Sequence, residues 1–210
     1  MNEIEEKTSA AAPAYPSLDF IEADCWNKIE LGCTTHKHSF HTAVIATIFN
    51  GYPEMRTVVL RRVWAASKQL AFHTDIRSGK IEQLIKNPAI SWLFYSSNDR
   101  IQLRLSGTAS IETDSTIVKE AWQKTSCSSR RCYLAHRAPG TASAFATNGL
   151  PGIFEHRDPD LTESEEGYKN FAVILTKVNK MEWLWLHHKG HRRAAFEYHE
   201  GGTKAHWLVP

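Results

Sequence analysis

The sequence lacks the marks of several large protein classes. It has four cysteines, Cys25, Cys33, Cys127 and Cys132, and no Cys-x-x-Cys pair, so a zinc ribbon or a thioredoxin-like centre has no ligand spacing to stand on. Long apolar runs are missing as well. The most hydrophobic stretches, Thr42–Phe49 and Ala89–Tyr95, fall far short of the roughly 20 residues that a membrane-spanning helix needs. The opening segment MNEIEEKTSAAAPAYPS is acidic and has no apolar centre, so a signal peptide is not expected there. Neither sign of charge dominates: 25 Lys and Arg stand against 23 Asp and Glu, a formal net charge of +2. That balance gives no electrostatic drive toward nucleic acid or membrane surfaces. No G-x-G-x-x-G follows a strand, and neither G-x-x-x-x-G-K-[ST] nor G-x-S-x-G occurs. Rossmann, P-loop and serine-hydrolase readings therefore lose their sequence support. A cytoplasmic location with reduced thiols is the expectation.

What is present is an ordinary globular composition, 42% hydrophobic and 23% charged over 210 residues, with seven Trp and eleven His. A chain of this length can bury a core without disulfide or metal staples. Residues 1–17, rich in Ala, Pro, Ser and charge, are expected to form a flexible tail, and residues 18–210 a single domain. A helix is expected from Asp19, with Phe20, Ile21, Cys25, Trp26, Ile29 and Leu31 at helical spacing and Gly32 ending it. Strands are expected at 42–49, 55–63 and 70–74, the second with clean alternation. Ser78 can cap a helix carrying Ile81, Leu84 and Ile85 on one face, which Asn87-Pro88 stops. Further strands follow at 89–95 and 100–106, then a helix capped by Asp114 and a short helix within 128–137. A long loop spans 138–168, and strands at 171–178, 181–188, 194–199 and 205–209 close the chain. This order predicts an α+β fold, mainly β, built on an antiparallel, Greek-key-like barrel with peripheral helices.

Two groups of residues carry candidate chemistry. The first is RTVVLRR, then LAFHTD, then RSGK at a helix start. A helix N-terminus presents free N–H groups and a positive dipole end, and Ser78 and Lys80 would add a hydroxyl and a cation. Arg56 and Arg61 supply further cations, so the segment fits a phosphate cradle. The same charges also fit solvated strand and helix faces, and spacing alone leaves both readings open. The second group is HHKGHRR at 187–193, with His36, His38 and His41 as another histidine group. No set of ligands stands at metal spacing, and the cations suit an anion better than a divalent metal, so no metal is expected.

These runs resemble a known family. MRTVVLRRV, LAFHTDIRSGKIEQLIKNPAISWLFY and RIQLRLSGTA are similar to the flavin-binding half of pyridoxamine 5′-phosphate oxidases. Asn87-Pro88, Gln102-Leu103-Arg104, Ala121-Trp122, Ser129-Arg130, Pro139-Gly140, His191-Arg192-Arg193 and Trp207 extend the likeness to a sub-branch of oxidase-like FMN-binding proteins. The resemblance implies an FMN-binding split β-barrel, active as a homodimer with FMN at the subunit interface and a small-molecule substrate. It implies that Arg56, Thr57, Val58 and Val59 lie along FMN, with Arg56 on the phosphate. Thr74, Ser78 and Lys80 would join that phosphate site, His73 and Arg77 would also bind the cofactor, Gln102 would hydrogen-bond the ring, and Arg193 with Trp183 or Trp185 would close the site. On the substrate side it implies Arg61, the set Tyr133, Arg137 and Thr141, and Lys189 with His191. No protein nucleophile is implied: the flavin would accept a hydride from a carbon bearing an amine or alcohol. A flavin-binding protein without that oxidase activity is the alternative, and the placement of Tyr133, Arg137 and Thr141 discriminates the two. Gly79 stands where the oxidases have Arg, which puts the substrate rather than the cofactor in question.

Overall fold

The computed structural model describes residues 15–210. Helix α1 (Leu18–Thr34) starts at Ser17, whose hydroxyl accepts a hydrogen bond from the Phe20 N–H. It buries Ile21, Cys25, Trp26 and Ile29. Gly32 does not end it. A Cβ at that position would meet the Phe40 backbone at 2.7 Å, so glycine there permits close packing rather than a C-terminal cap. Most of the expected tail, residues 1–14, lies outside the described residues. Tyr15, within the same stretch, packs edge-on against Trp183 at 4.7 Å between ring centroids.

Among the described residues, nine strands form one sheet in the order β2-β1-β5-β6-β7-β4-β3, with β8 on the far half of β7 and β9 on β8. They are β1 (Thr42–Phe49), β2 (Tyr52–Val59), β3 (Arg62–Trp64), β4 (Gln69–Asp75), β5 (Ala89–Ser96), β6 (Ile101–Glu112), β7 (Phe171–Trp185), β8 (Arg192–His199) and β9 (Gly202–Leu208). Every pairing is antiparallel. The expected single strand at 55–63 divides at Leu60–Arg61. There the chain leaves β1, whose last pair is Thr42 with Val59, and joins β4, with Arg62 opposite Ala71.

The strands expected at 171–178 and 181–188 are instead one 15-residue strand, β7. Its first half lies beside β4 and its second half beside β8, while β6 follows it along both. The register shifts between Ser106 and Gly107, where one extra residue bends the pair. A Cβ on Gly107 would lie 2.0 Å from the Lys177 carbonyl oxygen, so only glycine fits the bend. A strand shared by two sheet halves is what splits the barrel.

The expected continuous apolar strand at 89–95 alternates in burial, with Ile90, Trp92 and Phe94 inside and Ser91, Leu93 and Tyr95 outside. The main core is built from such inward residues of β1, β5, β6, β7 and β8, closed by α1 and α2 (Gly79–Lys86). On α2 the buried residues are Ile81, Gln83 and Leu84, whereas Ile85 is 70% exposed. A second, smaller cluster of Ala71, Val118, Trp122, Tyr133, Phe171 and Val173 lies under α3 (Thr116–Lys124). Ser115 rather than Asp114 sits at the cap of α3, and Asp114 pairs with Lys119 instead. The short helix α4 (Cys127–Arg130) continues into a 3-10 turn, and the long loop contains α5 (Leu161–Glu165), started by a capping box of Asp160 and Glu163. No helix among the described residues is long and apolar enough to cross a membrane.

Candidate functional site

The start of α2 gathers residues from four elements. Alternation along β4 turns Thr74 inward, toward the loop that leads to Ser78. The Lys80 ammonium donates to Thr74 Oγ1 at 2.9 Å and to Ser78 Oγ at 3.0 Å, and the two hydroxyls lie 3.2 Å apart. Ser78 stands at the helix N-cap without using its side chain to cap. The first-turn N–H groups are therefore left without the usual side-chain acceptor. Arg56 reaches the same end from β2. Its guanidinium donates to Thr47 Oγ1 at 2.5 Å, to the Glu54 carbonyl at 2.8 Å and to Gln83 Oε1 at 3.1 Å. Thr47 Oγ1 donates in turn to Gln83 Oε1 at 2.5 Å. Thr47 and Gln83 are buried, so Arg56 is held in a fixed direction from below.

The electrostatics of this cluster suit an anion. Burial lowers the Lys80 pKa, the Arg56 charge lowers it further, and Asp75 opposes only in part. Burial also lowers that of Arg56. Among the described residues Lys80 has no carboxylate within ion-pair distance, and Arg56 has only the exposed Glu54 at 3.8 Å. Two partly desolvated cations at a helix N-terminus are under-compensated until an anion arrives. The neighbouring Arg77 differs: its guanidinium forks onto Asp75 at 2.6 and 2.9 Å and donates to the Ala135 carbonyl at 2.9 Å. It ties the loop before α2 to the segment after α4.

A second group shares the outer sheet face. Cross-strand partners project to the same side. One row runs Thr57, Val44, Leu93, Arg104, Glu182, Ala195. The adjacent row runs Tyr95, Gln102, Leu184, Arg193, Leu208. Thr57 and Val59 thus point outward with Gln102 and Arg193, while Val58 packs on the core. Trp183 and Trp185 are on the opposite face, 0% and 4% exposed. Both belong to the core of the single chain, and the residue between Gln102 and Arg193 is Leu184. A cavity of about 300 Å³ on this face is lined by Val44, Met55, Leu93, Arg104, Lys180 and Glu182 among others.

The remaining predicted residues are dispersed. His73 faces away from Thr74, 4.8 Å edge-on from Phe171, and its pKa is drawn down to about 4 by burial and then by the Arg61 charge. With Arg61 it lines a cavity of about 570 Å³ below α3, together with His36, Arg62 and Lys124. Tyr133 is buried against Phe171 and Trp122, and burial raises its pKa well beyond the usual value, with Arg61 opposing. Arg137 is exposed, and Thr141 is exposed with its hydroxyl donating to the Ala138 carbonyl of its own turn. Lys189 and His191 sit in the exposed β7–β8 turn, where His191 Nδ1 accepts from the His187 N–H. In one chain, Tyr133 is buried while Arg137 and Thr141 are exposed. Sequence reasoning missed Thr47, Gln83, Leu184 and Glu182. The buried polar pair Thr47–Gln83 left one trace, a glutamine on the inner face of an otherwise apolar helix stripe.

The fold and site define an antiparallel split barrel with cations and hydroxyls gathered at a helix start. The comparisons narrow it. Residues 23–113 match the family described as pyridoxamine 5′-phosphate oxidase, FMN-binding domain. Over 191 residues the chain is 32% identical to pyridoxine/pyridoxamine 5′-phosphate oxidase 2 of Arabidopsis thaliana, covering 85% of this chain and 90% of that protein. The chain belongs to the pyridoxamine 5′-phosphate oxidase FMN-binding family. Two solved structures share the fold. A pyridoxamine 5′-phosphate oxidase-related, FMN binding protein from Nostoc punctiforme has a TM-score of 0.69 at 23% identity, covering 90% of this chain and 96% of that one. PhzG from Burkholderia lata, in complex with tetrahydrophenazine-1-carboxylic acid, has a TM-score of 0.68 at 16% identity, covering 93% and 94%.

Proposed function

We propose that this protein binds FMN with its phosphate in the cradle of Arg56, Thr74, Ser78 and Lys80. The observation that carries the reading is that cradle: two cations and two hydroxyls at a helix start, with no carboxylate paired to Lys80 among the described residues. A phosphate there would accept charge-assisted hydrogen bonds and end the under-compensation of both cations. Gln102 and Arg193, on one row of the outer face, are the groups that would meet the flavin ring. FMN, when bound, supplies the hydride acceptor. The chain's own residues bind and orient, and none serves as a nucleophile.

The proposed activity is that of an FMN-dependent oxidoreductase resembling pyridoxine/pyridoxamine 5′-phosphate oxidase. It would oxidise a carbon bearing an amine or alcohol on a small phosphorylated substrate, with oxygen as acceptor. The name of the Arabidopsis relative supports this. A homodimer is proposed because the outer face that carries Thr57, Gln102 and Arg193 also exposes Met55, Leu93 and Tyr95. The four unbridged thiols fit a reducing cytoplasm. The burial of Tyr133 beside exposed Arg137 and Thr141 favours a second reading, an FMN-binding protein that acts on another substrate or carries flavin.

The test has two stages. The purified protein should take up FMN, and riboflavin far less well, by flavin fluorescence titration. Equal uptake of both, or of neither, overturns the cradle. Pyridoxamine 5′-phosphate and pyridoxine 5′-phosphate should then give pyridoxal 5′-phosphate and hydrogen peroxide. An FMN-loaded protein that turns over neither is the second reading.

A further inference from the structure

The outer sheet face holds one carboxylate where three cations converge. Glu182, on β7, has a side chain only 16% exposed. Its Oε2 accepts from Arg193 Nη2 at 2.5 Å and Nε at 3.2 Å, and also from Arg104 Nη2. Its Oε1 pairs with Lys180 Nζ at 2.9 Å. The three cations come from three adjacent strands, Arg104 on β6, Lys180 on β7 and Arg193 on β8. Arg104 and Ala195 are the direct cross-strand partners of Glu182, whereas Arg193 is the partner of Leu184. Arg193 therefore leans along β8 from the Gln102–Leu184 row to reach the carboxylate. Both of its bonds to Glu182 converge on a single oxygen, which leaves its other terminal nitrogen, Nη1, without a partner among the described residues.

We propose that Glu182 is a positioning residue: it fixes the Arg193 guanidinium on the outer face with Nη1 free, in the row of Gln102, so that Arg193 meets the flavin in one orientation. This rests on the reading that the face binds the FMN ring. Two features favour positioning over simple charge neutralisation. The carboxylate sits between the cations and is mostly shielded, so its direction is set by three neighbours rather than by solvent. The cluster also keeps two positive charges in excess, so the carboxylate orders the cations without cancelling them. Burial opposes ionisation of Glu182, yet the bonds from Arg193, Lys180 and Arg104 outweigh it and draw the pKa from 4.5 to about 2. The carboxylate is therefore charged over the whole working range of an enzyme.

The experiment is a double-mutant cycle on FMN affinity. Glu182→Gln keeps the size and removes the charge, Glu182→Asp keeps the charge and withdraws it by one methylene, and Arg193→Ala removes the positioned group. Each is read by flavin fluorescence titration and by the visible spectrum of bound flavin, with thermal unfolding to confirm the fold. If Glu182 acts through Arg193, then Glu182→Gln and Arg193→Ala each weaken FMN by about tenfold, and the double variant is no weaker than Arg193→Ala alone. Glu182→Asp shifts in the same direction, and the bound-flavin spectrum moves with it. Arg104→Ala, which removes one of the three neighbours that aim the carboxylate, weakens FMN in the same direction but less than Glu182→Gln does. Folded Glu182→Gln or Glu182→Asp protein that binds FMN like the wild type overturns the proposal, as do additive losses in the cycle. A wild-type protein that binds no FMN overturns the reading of the site instead.

Discussion

The cradle at the start of α2 and the segment from Tyr133 to Thr141 both bring hydroxyls and cations near the sheet, and they end differently. In the cradle, Thr74, Ser78 and Lys80 are knit together by bonds of 2.9 to 3.2 Å, and Arg56 arrives on a scaffold of buried Thr47 and Gln83. In the second segment, Tyr133 is sunk into a small aromatic cluster, Arg137 is exposed and Thr141 satisfies itself within its own turn. The first site is built from a strand end and a helix start, whose periods fix where each side chain points. The second hangs on a 3-10 turn and irregular chain, where a four-residue spacing fixes no direction. A site on regular elements exists before its ligand does. A site on irregular chain is assembled, if at all, by a ligand or a partner subunit.

The sharpest way to break this contrast is charge reversal in the built site. Lys80→Glu should weaken FMN by about a hundredfold or more, since a strong charge-assisted contact becomes a repulsion. Fluorescence titration against FMN and riboflavin checks it, and the preference for FMN should vanish. The next largest effect is expected at the scaffold. Thr47→Val removes a fully buried hydroxyl that bonds both Arg56 and Gln83. It should lower stability by about 1–3 kcal/mol, measured by chemical denaturation, with weaker FMN binding as a consequence.

A pH measurement sharpens the opposite side of β4. His73 has a folded pKa of about 4 against an ordinary 6.5, so the unfolded chain takes up a proton first as pH falls. Its contribution is therefore full above pH 6.5 and declines as pH drops from 6.5 toward 4. His73→Phe should flatten the stability profile across that window. The smallest effect belongs to the unassembled segment. Thr141→Ala should leave FMN affinity within about twofold of wild type, as for an exposed residue outside any network. If its KM for pyridoxamine 5′-phosphate rises steeply, the segment closes on substrate and the contrast narrows.

Much of the fold was legible because it follows from local period. The alternation of Ile101, Leu103 and Leu105 against Gln102, Arg104 and Ser106 predicts β6, and its burial follows that pattern. Asn87-Pro88 ends α2 as expected, with Asn87 at its C-terminal cap. The cradle was legible for the same reason, since Thr74, Ser78 and Lys80 lie within seven residues. Boundaries failed where pairing partners change. The sequence around Leu60 and Arg61 is uninterrupted, and the break between β2 and β3 comes from moving between β1 and β4.

By itself, then, the chain specified which stretches are strands and helices, which faces are apolar, and that cations and hydroxyls meet at one helix start. The tertiary structure decided the rest. It turned Trp183 and Trp185 into the core and Leu184 outward, because the face that a β7 residue takes is set by its register with β6 and β8. It made Gly32 and Gly107 points of close approach to Phe40 and Lys177. It brought Glu182 against Arg104 and Arg193, and Thr47 under Arg56. Each of these is a contact between different elements or turns of the chain, fixed by register and packing, and neither leaves a local period to read.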